Sequence, residues 1–188
     1  VLISLSGAQS CGKTTLLQEC KKLKFLEGAT FVDEVTRKIA KQGISINTDG
    51  NNLTQLLIIN EHIQNSLLTN AFLDRCIVDG FIYTEYLYKH EKVDGWVYRY
   101  VNHIYDMLLP KYDIIFYCAP EGVPLEDDGT RVVGKEGEEF RNEIIQRFNY
   151  NFIVDRRLGK KTRVLTGSVV ERMNKIHRVL EEEFERKD

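Results

Sequence analysis

Little in this chain can act as a covalent staple, a membrane span or a histidine metal site. Its four cysteines, Cys11, Cys20, Cys76 and Cys118, form no C-x-x-C pair in 188 residues. That density is far below a disulfide scaffold, so they read as reduced thiols in a cytoplasmic protein. His62, His90, His103 and His177 are scattered without paired spacing, which leaves out a histidine-built metal centre. Only three prolines interrupt a chain that is 43% hydrophobic, which is not the composition of disorder. No apolar run approaches the roughly 18 residues of a membrane span, and no leader pattern opens the sequence. Charge of one sign is missing too: 26 Lys+Arg stand against 28 Asp+Glu, a formal −2. That balance removes the electrostatic argument for nucleic acid or a membrane surface as the main partner.

What is present is an alternation of short apolar runs with helical stripes. At about 150 residues per domain, the length describes a single domain over residues 1–188 with a small lid. Strands are expected at Val1–Ser6, Thr30–Val32, Cys76–Val78, Ile114–Phe116 and Arg163–Thr166. Helices are expected from Lys13 to about Lys24, after Glu34, from Leu53 to Leu73, from Phe81 to Lys89, through Val97–Leu108, along Phe140–Phe152, and from about Ser168. The stretch from Ala119 to Gly137 is Gly-, Pro- and acid-rich, and reads as a long lid loop (about 119–141 with its flank). Strands alternating with helices predict an α/β fold with a parallel five-stranded sheet flanked by helices.

The first strand runs into Gly7-Ala8-Gln9-Ser10-Cys11-Gly12-Lys13-Thr14, a complete G-x-x-x-x-G-K-[ST] between strand and helix. Glycines let such a backbone curl so that N–H groups point at phosphate oxygens, with the helix N-terminus behind them. Lys13 would reach the β/γ-phosphates of ATP, the Thr14 hydroxyl would ligate Mg²⁺, and residues through Thr15 would complete the cradle. Guanine specificity has no signal: the single Asn-Lys, Asn174-Lys175, runs on into Ile176-His177. The strands read at Cys76–Val78 and Ile114–Tyr117 run into Asp79-Gly80 and neutral Cys118, not into the Asp-Glu that a motor would want. A small P-loop kinase fits best.

Other residues gather around that motif. On this reading Asp79 closes a core strand, where a carboxylate can hold Mg²⁺ or accept a proton; capping the next helix is the alternative. Asp33, Glu34 and Arg37 end another strand and suit an acceptor's hydroxyl and polar groups, or form a plain i,i+3 ion pair. Tyr83 is placed to stack on an acceptor ring or to pack in the core. Arg131 and Arg141, in and after the lid, suit the charge that phosphoryl transfer spreads over equatorial oxygens, with Asp128 beside them. Gly167, after the last strand, is placed for an adenine. The basic clusters Lys21–Lys24 and Arg156–Arg163 lack interleaved aromatics and read as solvated helix ends.

The P-loop, Glu34-Val-Thr-Arg37, the strand ending in Asp79, Pro124-Leu-Glu-Asp-Asp-Gly-Thr-Arg131 and Leu165-Thr-Gly167 together resemble a small P-loop ATPase/kinase family. That family includes ribosylnicotinamide kinase domains, with deoxynucleoside and nucleoside monophosphate kinases further off. The resemblance covers nearly the whole chain and implies a three-layer P-loop nucleoside triphosphate hydrolase fold. It implies that Glu34 and Arg37 face the acceptor and that Arg131 belongs to the phosphate lid. In such enzymes an arginine follows the strand-end acidic residue; here the strand read as Cys76–Val78 ends in Asp79-Gly80, with Arg75 at its other end. The expected activity is transfer of the γ-phosphate of ATP, with Mg²⁺, to a nucleoside-type acceptor such as nicotinamide riboside. A monophosphate acceptor, a modified base in DNA, and an ATPase switch with a protein or lipid partner are the alternatives.

Overall fold

The computed structural model describes residues 1–120, 134–154 and 157–185. Five parallel strands form one sheet: β1 (Leu2–Ser6), β2 (Thr30–Val32), β3 (Ala71–Asp74), β4 (Ile114–Cys118) and β5 (Thr162–Leu165), in the order β2-β3-β1-β4-β5. This is the P-loop nucleoside triphosphate hydrolase fold. β1, β3 and β4 are buried at every residue, which is why they read as unbroken apolar runs.

The two faces of the sheet bury separate cores. On one side, α1 (Lys13–Cys20) and α7 (Val169–Glu185) cover Ile3, Leu5, Phe72, Phe116 and Leu165. There Phe72 stacks between Phe31 and Phe116, with centroids 5.9 and 6.4 Å away. Such pairs stabilise beyond their buried area by about 0.5–1.5 kcal/mol each. On the other side lie α4 (Ile77–Lys89), α5 (Gly95–Leu108) and α6 (Gly134–Ile153), packed on Leu2, Leu73, Ile115 and Tyr117. α2 (Val35–Ala40) packs on α3 (Asn52–Asn65) through Val35, Ile39 and Ile58. No helix among the described residues is long and apolar enough to cross a membrane.

Three expectations are corrected. The third strand is Ala71–Asp74, and the run Cys76–Val78 lies in and before the first turn of α4. Asp79 therefore ends no strand. It is the third helical residue of α4, and its carboxylate accepts from the Cys76 backbone N–H at 3.1 Å in a capping box. The helix expected over Leu53–Leu73 stops at Asn65, because Ala71 already belongs to the sheet. The lid expectation shrinks as well: α6 begins at Gly134, so residues 134–141 are helical. Residues 121–133, with Asp128 and Arg131, lie outside the described residues.

Candidate functional site

Every strand of a parallel sheet delivers its carboxyl end to the same edge. Here that edge collects the P-loop after β1, Glu34 after β2, Asp74-Arg75 at β3, Ala119 after β4 and Gly167 after β5.

The P-loop turns through left-handed backbone at Ser10 (φ 52°) and Gly12 (φ 81°), which caps α1. The carbonyls of residues 7–11 are all taken by cations. Lys13 Nζ donates to Gly7 O at 2.9 Å and Ala8 O at 2.7 Å. Arg141 donates to Gln9 O and Ser10 O at 3.2 and 3.1 Å, and Arg172 to Cys11 O at 2.9 Å. Five consecutive carbonyls held outward leave the N–H groups to line an anion nest. Arg172, only 3% exposed, also reaches Gly167 O (2.8 Å) and Ala119 O (2.8 Å), so one guanidinium fixes three loops. Burial and Arg75 work against the Lys13 ammonium. Cys11, Asp74 and Asp79 outweigh them and hold its pKa above 10.5.

Thr14 Oγ1 donates to Asp74 Oδ2 at 2.9 Å, and Asp74 Oδ1 is buried without a hydrogen-bond partner. Burial pushes the Asp74 pKa up, helped by the Glu34 charge and opposed by Lys13. A hydroxyl and an under-satisfied carboxylate side by side form an all-oxygen set suited to a hard divalent cation.

Arg75 follows at φ 85°, a conformation that costs a bulky residue about 1–2 kcal/mol. The strain persists because the side chain is over-determined. Its Nε donates to Glu34 Oε1 at 2.6 Å, its Nη1 to Asp79 Oδ1 at 3.1 Å, and its guanidinium lies 5.4 Å over the Tyr83 ring. Asp79 also accepts from the Gly7 N–H at 3.2 Å, so it props the start of the P-loop from beneath. Glu34 takes a second cation, Arg37, at 3.1 Å. Burial would raise its pKa, but Arg75, Lys13 and Arg37 draw it from 4.5 down to about 2.

Two spaces meet at the Glu34–Arg75 pair. An open cleft of about 530 Å³ runs between Thr14, Asp74, Glu34, Arg37 and the largely exposed Asp33. A smaller pocket of about 30 Å³ lies behind Arg75, walled by Gln55, Ile58, His62, Asp79, Gly80 and Tyr83. His62 Nδ1 and Tyr83 Oη are buried there without partners. Burial pushes the His62 pKa down to about 4, so its imidazole is neutral at pH 7. Gly80 makes room for that ring, since a β-carbon there would lie 3.1 Å from His62 Cδ2.

Both shifts carry a pH signature. The unfolded chain takes up the His62 proton near pH 6.5, but the native one only near 4, so stability falls as pH drops through that window. Glu34 has its folded pKa depressed, and its contribution is present above pH 4.5 and lost towards pH 2. Melting temperature should decline in two successive acid legs, and His62→Gln should flatten the first of them. An unchanged first leg in that variant would contradict the assignment.

Comparison with known proteins then decides the family. The family model for an AAA domain (AAA_28) matches residues 2–172. The chain belongs to this family. Among solved structures, a NadR protein in complex with NR superposes with a TM-score of 0.67 at 19% identity, covering 96% of this chain and 50% of that one. This AAA domain thus spans half the length of that neighbour. A deoxyadenosine kinase from M. mycoides with the products dCMP and dCDP gives 0.66 at 18% identity, covering 97% and 99%. A YorR protein from Bacillus subtilis in complex with phosphorylated GDP gives 0.55 at 15%, covering 98% of each chain. No curated protein matches the sequence.

The AAA domain brings together Gly7–Thr15, Asp33, Glu34, Arg37, Tyr83, Arg141 and Gly167 at or beside one edge of the sheet. It moves Asp79 away from the cleft to the floor. The arginine after a strand-end acidic residue is present after all, as Asp74-Arg75. Asp74, Arg75, Gln55, His62 and Arg172 escaped the sequence reading. Gln55 and His62 did carry a signal, being polar residues seven apart on the buried face of α3.

Proposed function

We propose that this AAA domain is an ATP-dependent phosphotransferase acting on a nucleoside-type acceptor, nicotinamide riboside being the leading case. The observation that carries the reading is the ionised, doubly paired Glu34 on the same cleft as Thr14 and Asp74. A carboxylate fixed beside a phosphate cradle serves to seat a hydroxyl in line with a γ-phosphate. Likeness to the kinase structures at 15–19% identity supports the fold alone, and these side chains carry the chemistry.

The nucleotide's phosphates lie on the N–H groups of residues 7–15, with Lys13 swinging from the Gly7 and Ala8 carbonyls to the β/γ-phosphates. Thr14 and Asp74, in place of Asp79, would hold Mg²⁺, which supplies charge neutralisation across those phosphates when bound. Glu34 accepts a hydrogen bond from the acceptor hydroxyl. With a pKa of about 2 it is a weak proton acceptor, so it orients the nucleophile more than it activates it. That suffices, because a loose phosphoryl transfer depends on positioning and charge stabilisation. Arg141 braces the loop through the Gln9 and Ser10 carbonyls. Gln55, His62 and Tyr83 line the space that opens to receive the acceptor's ring, and Gly167 backs the adenine.

Calorimetry with a non-hydrolysable ATP analogue and Mg²⁺ tests the pocket. Nucleosides should bind, and Gln55→Leu should weaken them about tenfold or more while ATP affinity holds. Binding of monophosphates alone would select the nucleotide-kinase reading, which Arg37 at the cleft would then serve. Binding of neither would select the ATPase switch.

A further inference from the structure

One wall of the pocket behind Arg75 holds a hydroxyl with more neighbours than protons. Gln55 on α3 and Thr84 on α4 are 2% and 0% exposed, so water is no alternative partner for either side chain. The Thr84 hydroxyl lies 2.8 Å from the Gln55 carboxamide oxygen and 2.7 Å from the carbonyl oxygen of Gly80, one turn back in its own helix. A hydroxyl carries one proton and cannot give it in full to two oxygens. A half-turn of the Gln55 carboxamide exchanges its oxygen and nitrogen and leaves its shape unchanged. The amide nitrogen then donates to Thr84 Oγ1, and Thr84 donates to Gly80 O. Both short contacts become hydrogen bonds, in a chain whose members strengthen one another.

We propose that Thr84 is a positioning residue for acceptor selectivity: it holds the nitrogen of Gln55 and turns the carboxamide oxygen to the pocket, which selects an acceptor whose ring edge carries an N–H donor. An amino group on the ring, a ring N–H or a carboxamide qualifies. A carboxylate or a bare ring edge does not, because it leaves a buried oxygen unpaired. The inference rests on the reading of this pocket as the acceptor's.

The other groups on the wall agree with that assignment. Asp79 already accepts from Arg75 and from the Gly7 and Cys76 backbone N–H groups, so it does not compete for a ligand's N–H. Arg75 spends its Nε on Glu34 and its Nη1 on Asp79. His62 lies two turns beyond Gln55 on the buried face of α3, and its Nδ1 has no hydrogen-bond partner. Tyr83 Oη is buried and unpartnered as well. A neutral imidazole and a phenol can each accept as well as donate. Two polar groups without partners, beside an amide held by one neighbour, point to a polar ring edge as the missing occupant.

The test is calorimetry on the full chain with Mg²⁺ and a non-hydrolysable ATP analogue, using matched ligands that differ at the ring edge. Adenosine is set against purine riboside, and nicotinamide riboside against nicotinic acid riboside. In whichever pair binds, the member bearing N–H should bind about tenfold or more tightly. Thr84→Val frees the carboxamide to turn, and the ratio should fall to about threefold or less, with the affinity for the ATP analogue unchanged. Thr84→Ser should keep the ratio. In a Gln55→Leu background, Thr84→Val should change nothing further, which a purely structural threonine would not reproduce. Should Thr84→Val misfold, the wild-type and Thr84→Ser ratios decide. Equal binding within the pairs, a preference for the member without N–H, or a ratio that survives Thr84→Val would overturn the proposal while the acceptor pocket stands. Binding of no nucleoside at all would overturn the acceptor reading, and this inference with it.

Discussion

Replacing Asp74 by asparagine should lower MgATP-dependent turnover on the order of 10²-fold or more, without unfolding the protein. The carboxylate lies 2.9 Å from Thr14 Oγ1 with its other oxygen unpartnered, so its charge serves a ligand more than the fold. Burial already raises its pKa, and an isosteric neutral amide relieves that cost. The melting temperature should hold or rise. Asp79→Asn should do the reverse: it weakens the carboxylate that accepts from Gly7 N, Cys76 N and Arg75, so stability falls while turnover per folded molecule stays within a few-fold. Steady-state kinetics with thermal melts on both variants checks this opposition. Turnover lost in Asp79→Asn and retained in Asp74→Asn would return the metal role to Asp79.

The second large effect is on stability. Arg75→Ala leaves Asp79, 2% exposed, and the largely buried Glu34 facing one another without the guanidinium between them. Breaking a buried pair from one side costs about 3–5 kcal/mol, since the remaining charges stay desolvated. Relief of the left-handed backbone at residue 75 recovers about 1 kcal/mol only for a residue that prefers it, as in Arg75→Gly. Urea unfolding should therefore rank wild type above Arg75→Lys, and Arg75→Lys above Arg75→Ala. An Arg75→Ala loss below 1 kcal/mol would mean the two carboxylates are not held by this residue.

The residues that were legible in the sequence are those whose chemistry is local. The P-loop is one contiguous turn, and Glu34 and Arg37 sit one helical turn apart. The third strand was not legible, for a physical reason. Two apolar triplets, Ala71-Phe-Leu73 and Cys76-Ile-Val78, flank Asp74-Arg75, and runs that short fit a buried strand or a buried helical turn equally. α4 is buried from Ile77 through Ile82, so no polar face marked its first turn as helix. A shift of five residues hid the Asp-Arg step and lent Asp79 a role that its helix denies it. Arg172 had no local sign at all, since it braces Cys11 across 161 residues of chain.

The most direct test of the account follows the γ-phosphate of labelled ATP in the presence of Mg²⁺ and a panel of nucleosides, nucleoside monophosphates and water alone. The account predicts label on a nucleoside hydroxyl, abolished in Lys13→Ala and Asp74→Asn. Label appearing only as free phosphate, at a rate that no acceptor changes, would contradict it.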